Sequence, residues 1–438
     1  MSLEKTQFQG VLVCVICTLF FTYEFFLRTI IGSFQTDLMS DMHLTSMNFS
    51  LLSSTVFLII YGLMQVPVGI ITEHIGLKKS LLIGATTCVI SCLGIAQTQG
   101  FIAALFWRAC MGFGASFGFI CLLISINQWL PRKYNAAFIG IFQFIGTLGP
   151  MFAAGPITSI ITETNISWRD TFSILATIGV AIATLIAIFV KNNSRKKGSF
   201  IILNRVSLNS KEIFGIFKSP QPWIIAAFSA LIYFSLEYLS ENEGRALLMA
   251  KGVTTIQASY MISISWLGYA FGAPLLGTLS DMTERRTTLM KLSAILALTA
   301  FFIIKTYTHI NVLQFGFFSL GFAASGQTIA FAIMAEQFKP QFVAIGYGLN
   351  NAVILIFSSA LSPALGRMLD TLSTNSTPTL EEYNSLFLFF LGMGALTIGV
   401  SCLIKETFNK KTVGFTILSR NKFRSSIASG FFPNINQH

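Results

Sequence analysis

Apolar runs of about 20 residues recur twelve times along this chain, each bounded by charged or turn-forming residues. Wound as an α-helix, a run of that length spans the ~30 Å hydrocarbon core of a bilayer. Helices suit that medium because all of their backbone hydrogen bonds close within the segment. The runs fall at about 8–31, 48–72, 80–98, 101–128, 135–161 and 168–190, then at about 221–240, 256–281, 287–306, 311–337, 341–369 and 383–404. Only 11% of the 438 residues are charged, against roughly 25% in a soluble domain. That shortage excludes a soluble enzyme, a nucleic-acid binder despite the net charge of +11, and a disordered chain. The fold class expected is all-α and integral to the membrane, with twelve transmembrane helices. The first run has no small-residue cleavage site and is followed by further spans, so it reads as an uncleaved helix.

Twelve spans put both chain ends on one side. Of the 29 basic residues, only Arg169, Arg245, Lys251, Lys305 and Arg367 fall on the opposite side, and Arg28 and Arg108 lie inside spans. Basic residues mark the cytoplasmic face, so both termini are expected in the cytoplasm and the chain in the cytoplasmic (inner) membrane. The basic excess is thus a topology label rather than a sign of nucleic acid. A basic linker at 191–220 separates two six-helix halves, 1–190 and 221–405, and a basic tail at 406–438 closes the chain. Within the linker, Leu208, Phe214 and Phe217 alternate with Lys211 and Lys218, the pattern of a short helix on the membrane surface.

The halves repeat each other. Gly69-x-x-x-Glu73 at the end of the second run matches Gly277-x-x-x-Asp281 at the end of the eighth, with basic residues just beyond both. Gly112-Phe113-Gly114-Ala115-Ser116 matches Gly321-Phe322-Ala323-Ala324-Ser325. The offsets are 208 and 209 residues, which indicates an internal duplication. Two such halves facing a cavity suit alternating access.

These motifs resemble those of the major facilitator superfamily. Its loop 2–3 signature, G-x-x-x-D-R-x-G-R-R/K, is met by Gly69, Glu73, His74, Gly76, Leu77 and Lys78, with Glu for Asp, His for Arg and Leu77 as departures. The second copy has Gly277, Asp281, Arg285 and Arg286. Its span-4 signature is met by Arg108, Gly112 and Gly114, and its span-5 pattern loosely by Gly146, Gly149, Pro150, Gly155 and Pro156. The resemblance implies that Gly69, Glu73, Lys78, Gly277, Asp281 and Arg285 form a conformational gate at the inner ends of the helices. A narrower resemblance, to the phagosomal nutrient transporters of intracellular bacteria, rests on Tyr23–Arg28, Met64–Gly69, Ile264–Gly268 and Gly272–Pro274. That branch implies uptake of amino acids and similar metabolites.

Charges inside spans are costly and face a cavity or a partner. Glu24 and Arg28 sit at i,i+4 on one face of the first helix, with Glu24 roughly 16 Å deep. Arg108 enters the fourth span, and the resemblance, which implies that spans 1 and 4 are neighbours facing the cavity, lets it pair with Glu24 or with a substrate carboxylate. Glu237 falls as far into the seventh run as Glu24 into the first, so the two read as matched carboxylates with a proton-coupling role. Substrate binding would release an Arg and let a Glu take a proton. Glu241 lies nearer the helix end, where water would reach it. Tyr61, Gln143, Trp266, Gln327 and Asn350 join Arg28 and Arg108 as candidate substrate contacts, although helix packing explains each of them as well.

The expected function is secondary active transport of a small polar solute, an amino acid or an organic anion, by proton-coupled import. Uptake of a carboxylate siderophore and proton-driven efflux are the alternatives. Gly114-Ala115-Ser116-Phe117-Gly118 has the letters of a nucleophile elbow, but it lies within a helical run and not at a strand-to-helix turn. His43, His74, His309 and His438 are scattered, and the seven cysteines lie in apolar stretches, so no metal site, disulfide framework or cofactor is expected. Solute, protons and lipid are the expected partners, and the chain is expected to act as a monomer.

Overall fold

The computed structural model describes residues 3–130, 135–191, 218–337, 343–373 and 378–407. The helix expected in the linker and most of the tail lie outside the described residues. Among the described residues, twelve helices are long and apolar enough to cross a membrane. Span 1 is Leu3–Thr29 and span 3 is Leu77–Gln97. Span 2 covers 46–75, wound as a wide π turn over Leu51–Thr55. Span 4 is Phe101–Ala115 continued by Phe117–Trp129, span 5 is Asn135–Thr164 and span 6 is Trp168–Phe189. Spans 7, 8 and 9 are Pro220–Glu241, Thr255–Thr283 and Arg286–Thr306. Span 10 is Ile310–Ala324 continued by Gln327–Gln337, and spans 11 and 12 are Val343–Leu372 and Leu380–Leu403. Span 1 runs on past its expected end, through a 3-10 turn at Ile30–Phe34 and a short helix at Gln35–Asp41.

Short polar signals set the helix ends. Thr45 and Ser167 accept the first-turn amides of spans 2 and 6, and Thr254 with Gln257 and Thr379 with Glu382 form capping boxes on spans 8 and 12. Gly76, at φ 88°, turns span 2 into span 3 without a connecting loop. The duplication is visible in the backbone. The short helix Gln35–Asp41 recurs as Gly244–Ala250, the cap Thr45 as Thr254, and the break at Ser116 as a break at Ser325, each 209 residues on.

Glycines let the helices approach closely where the hydrophobic effect gives no help. A Cβ at Gly112 would lie 2.6 Å from the Phe57 carbonyl, and one at Gly84 would lie 2.8 Å from the carbonyl of Gly114.

Among the described residues, the hydrogen bonds that join the halves gather at the end of the bundle away from the chain termini, called here the distal end. The Ser46 and Met47 amides of span 2 donate to the two oxygens of Asp370 on span 11, at 2.8 and 2.9 Å. Thr55 donates to the Ser359 carbonyl at 2.8 Å. On the other side of the bundle, the Gly155 amide of span 5 donates to Ser263 of span 8 at 2.8 Å. A Cβ at Gly366 would lie 2.6 Å from the Ser46 carbonyl, so this seam is tight. Toward the terminal end, by contrast, Cβ atoms at Gly69, Gly277 and Gly348 would meet no atom of the described residues within 4 Å. The structure is closed distally.

Asp370 caps a helix of the other half, so its removal weakens only the closed state. Asp370→Ala is expected to cost about 1 kcal/mol there, shifting the equilibrium about fivefold toward distal opening. Maleimide labelling of a Met47→Cys variant from the distal side should accelerate by that factor.

Candidate functional site

The centre of the closed seam is a buried charge cluster. Arg28 of span 1 reaches across to span 7, where its Nε donates to Glu241 at 2.7 Å and its Nη2 pairs with Glu237. Both carboxylates are 0% exposed. Glu237 also accepts from Ser358 of span 11, and Glu241 from Ser54 in the π turn at 3.5 Å. Asn242 ties the two ends together, donating to Ser54 at 2.8 Å and accepting from Ser53. Glu237 and Glu241 are one helical turn apart, so one helix face presents both to the guanidinium.

This arrangement changes three of the expected pairings. Glu24 does not hold Arg28; its hydrogen-bond partner among the described residues is the Tyr61 hydroxyl at 3.5 Å. Nor is Glu24 the repeat partner of Glu237. With the 209-residue register of the turns, Arg28 corresponds to Glu237 and Glu24 to Tyr233. Counting from the start of each run misleads, because span 1 extends further toward the terminal end than span 7 does. Glu241, expected to be wet, is dry and paired.

Arg108 is fully buried, but its donors are taken. Nε and Nη2 reach the Leu52 and Ser53 carbonyls at 3.2 and 2.8 Å. Nη1 and Nη2 reach the Leu27 and Arg28 carbonyls at 2.8 and 2.7 Å, and Nη1 also meets the Met111 sulfur at 3.2 Å. The guanidinium lies 4.4 Å over the Phe57 ring. It ties the end of span 1 to the π turn and does not contact Glu24. A π turn marks no hydrophobic period, so nothing in the sequence advertises these free carbonyls.

Beside the cluster stand four rings from both halves. Phe25 meets Trp266 edge-on at 5.3 Å, and Tyr233 and Tyr269 complete the group at 6.4 and 5.9 Å from Trp266. Arg28 sits 5.4 Å over Phe25. Gln327 donates to the Tyr269 hydroxyl at 2.7 Å. Trp266 Nε1, Gln327 Oε1 and both amide atoms of Asn350 are buried without a hydrogen-bond partner among the described residues. Gln143 is half-buried on span 5, and no described side-chain contact brings it to the cluster. Gly118 of span 4 leaves the space Glu24 fills, since a Cβ there would lie 2.7 Å from Glu24 Cγ. Ser116 donates to the Phe113 carbonyl at 2.6 Å within its helix, as packing rather than as a nucleophile.

Above the cluster a polar cap covers the distal end. Tyr383 donates to Glu243 at 2.9 Å, and Arg245 donates to the Ser33 carbonyl. Burial pushes the Glu243 carboxyl up, against the hydrogen bonds from Gln35 and Tyr383.

The expected gate lies at the terminal end. Among the described residues, a Cβ at Gly69 or Gly277 would meet no atom within 4 Å. Lys78 is half-buried at the start of span 3, and the Glu73 side chain lies outside the described residues. Asp281 pairs with Arg286 at 3.1 Å, not with Arg285. Arg285 occupies the non-helical cap position, whereas Arg286 is in the first turn of span 9 and also holds Glu336 of span 10 at 2.8 Å.

Since Arg108 serves the backbone, Arg108→Lys should cost on the order of 3 kcal/mol of stability. A lowered unfolding midpoint in detergent, with ligand affinity unchanged in the folded fraction, is the expected result.

The comparisons agree with this architecture. The family model of the Major Facilitator Superfamily matches residues 15–242 and 246–432. The hexuronate transporter of Bacillus subtilis (strain 168) is 23% identical over 250 residues, 56% of this chain and 58% of its own length. The chain thus spans under two thirds of that relative. The inner membrane metabolite transport protein YhjE of Escherichia coli (strain K12) is 23% identical over 68% of this chain and 72% of its own. Among solved structures, a bacterial homologue of the human lysosomal transporter Spinster superposes with a TM-score of 0.77 at 17% identity, over 92% of this chain and 98% of that one. A D323A mutant of the nucleoside transporter NupG superposes at 0.72 and 15% identity, over 88% and 99%. Family members are transporters and not enzymes, and a multi-pass membrane carrier of small molecules accounts for the twelve helices and the buried central charges: the chain belongs to the major facilitator superfamily.

Proposed function

We propose that this chain is a secondary active transporter that imports a small polar solute, an amino acid or an organic anion, together with protons. Its termini lie in the cytoplasm by the placement of its basic residues, and it works as a monomer in the inner membrane. The observation that carries the reading is Arg28 held between Glu237 and Glu241 across the two halves. Opening the distal end separates these groups, and an uncompensated buried charge is strongly unfavourable. A solute carboxylate on Arg28 compensates one side, and protons on the two freed carboxylates compensate the other. The proton sites in this reading are Glu237 and Glu241, while Glu24, which stands apart from the pair, serves the solute. The names of the hexuronate and metabolite transporters support a small metabolite as cargo.

Glu241→Gln keeps the shape but cannot cycle a proton. In proteoliposomes, uptake of labelled phenylalanine or of a labelled hexuronate driven by an acid-outside gradient should fall at least about tenfold, a change of 1.4 kcal/mol. Exchange of the same solute at equal concentrations should persist. Gradient-driven uptake equal to that of the parent protein would refute the coupling.

A further inference from the structure

The two cations inside the membrane core are both occupied. Arg108 gives its donors to four backbone carbonyls and a sulfur, and Arg28 is shared by two carboxylates. One acid is left over. Glu24 is 2% exposed and has the Tyr61 hydroxyl, at 3.5 Å, as its hydrogen-bond partner among the described residues. Among the described residues no cation stands at ion-pair distance from it: Arg28, one turn on, acts on Glu24 only from further away, its contacts going to Glu237 and Glu241.

The surroundings point to what completes it. Phe25, next to Glu24 in the chain, opens the four-ring group with Trp266, Tyr233 and Tyr269. Tyr233 lies close to both Glu24 and Arg28. Trp266 Nε1 in that group is fully buried and has no partner among the described residues. Aromatic faces attract cations and repel anions, and an ammonium on a carboxylate forms a strong, short hydrogen bond.

We propose that the recognised end of the solute is a protonated amine, bound by Glu24 beside Tyr61, with an apolar or aromatic body against Phe25, Tyr233, Trp266 and Tyr269. The inference rests on the transport reading of the same central cluster and narrows it from two solute classes to one. A solute with only a carboxylate meets no free cation here and must break the Arg28 pairs to bind. An amino acid satisfies both ends. Its ammonium takes Glu24 and its carboxylate competes for Arg28, which lies one turn further along span 1.

A matched series tests this on the purified full-length protein: phenethylamine, phenylalanine and 3-phenylpropionate share a phenyl body and differ in charge. Thermal shift in detergent should give saturable stabilisation by phenethylamine and phenylalanine, with apparent affinity for 3-phenylpropionate at least tenfold weaker. Glu24→Gln should weaken phenethylamine binding at least tenfold. Gly118→Ala, whose methyl group displaces Glu24, should do the same with the carboxylate still present. Equal stabilisation by 3-phenylpropionate, amine binding that survives both substitutions, or no shift with any of the three overturns the proposal. Proteoliposome uptake separates it from the coupling reading. Amine binding without gradient-driven uptake of phenylalanine leaves this inference standing and removes proton-coupled import. Gradient-driven uptake of 3-phenylpropionate in preference to phenylalanine does the reverse.

Discussion

A guanidinium shared by two carboxylates, with all three removed from water, holds the halves of this protein together. Arg28 belongs to one half and Glu237 and Glu241 to the other. In a low-dielectric interior such a cluster is stable only while complete. The seam around it follows from that requirement. Close glycine approaches bring the helices near enough for the charges to meet, Ser54 and Ser358 donate to the carboxylates while Asn242 donates to Ser54, and Glu243 with Tyr383 roofs the assembly. The distal seam therefore has two favourable conditions, intact or fully replaced by other charges, and few between. That is the bistability a rocking carrier needs.

The long-range layout was legible in the sequence because its signals are local. Span length, helix caps and basic flanks each act within a few residues, and they give twelve helices, two halves and the 209-residue repeat. The central pairings were less legible because they join residues more than 200 positions apart. The i,i+4 spacing puts Glu24 and Arg28 on one helix face but does not reveal that Arg28 gains two carboxylates by reaching across the seam. Glu24 and Glu237 were matched by depth from the run starts, yet a helix start is set by where the chain meets the surface, and span 1 begins further out. Glu241 was placed in water, although its spacing from Glu237 is itself the sign that both face one partner. Arg108 was assigned a ligand because the backbone carbonyls it serves depend on a π turn with no sequence mark.

The fold is shared with proteins named for nucleosides and with the Spinster homologue at 15–17% identity, so it says little about cargo. In the reading proposed above, selection rests on two turns of span 1 and the facing turn of span 7, and substitutions there would change the cargo while leaving the scaffold intact.

The π turn at Leu51–Thr55 has a mechanical consequence. A π turn stores one residue more than the α-helix around it, and Arg108 secures that surplus by binding the Leu52 and Ser53 carbonyls. Rewinding it to an α-turn would rotate the rest of span 2 by about 100° about its own axis. Span 2 is one wall of the seam and carries Tyr61 and Gly69. By holding those carbonyls, Arg108 stabilises the wide turn and with it the face that span 2 presents to the opposite half in this state.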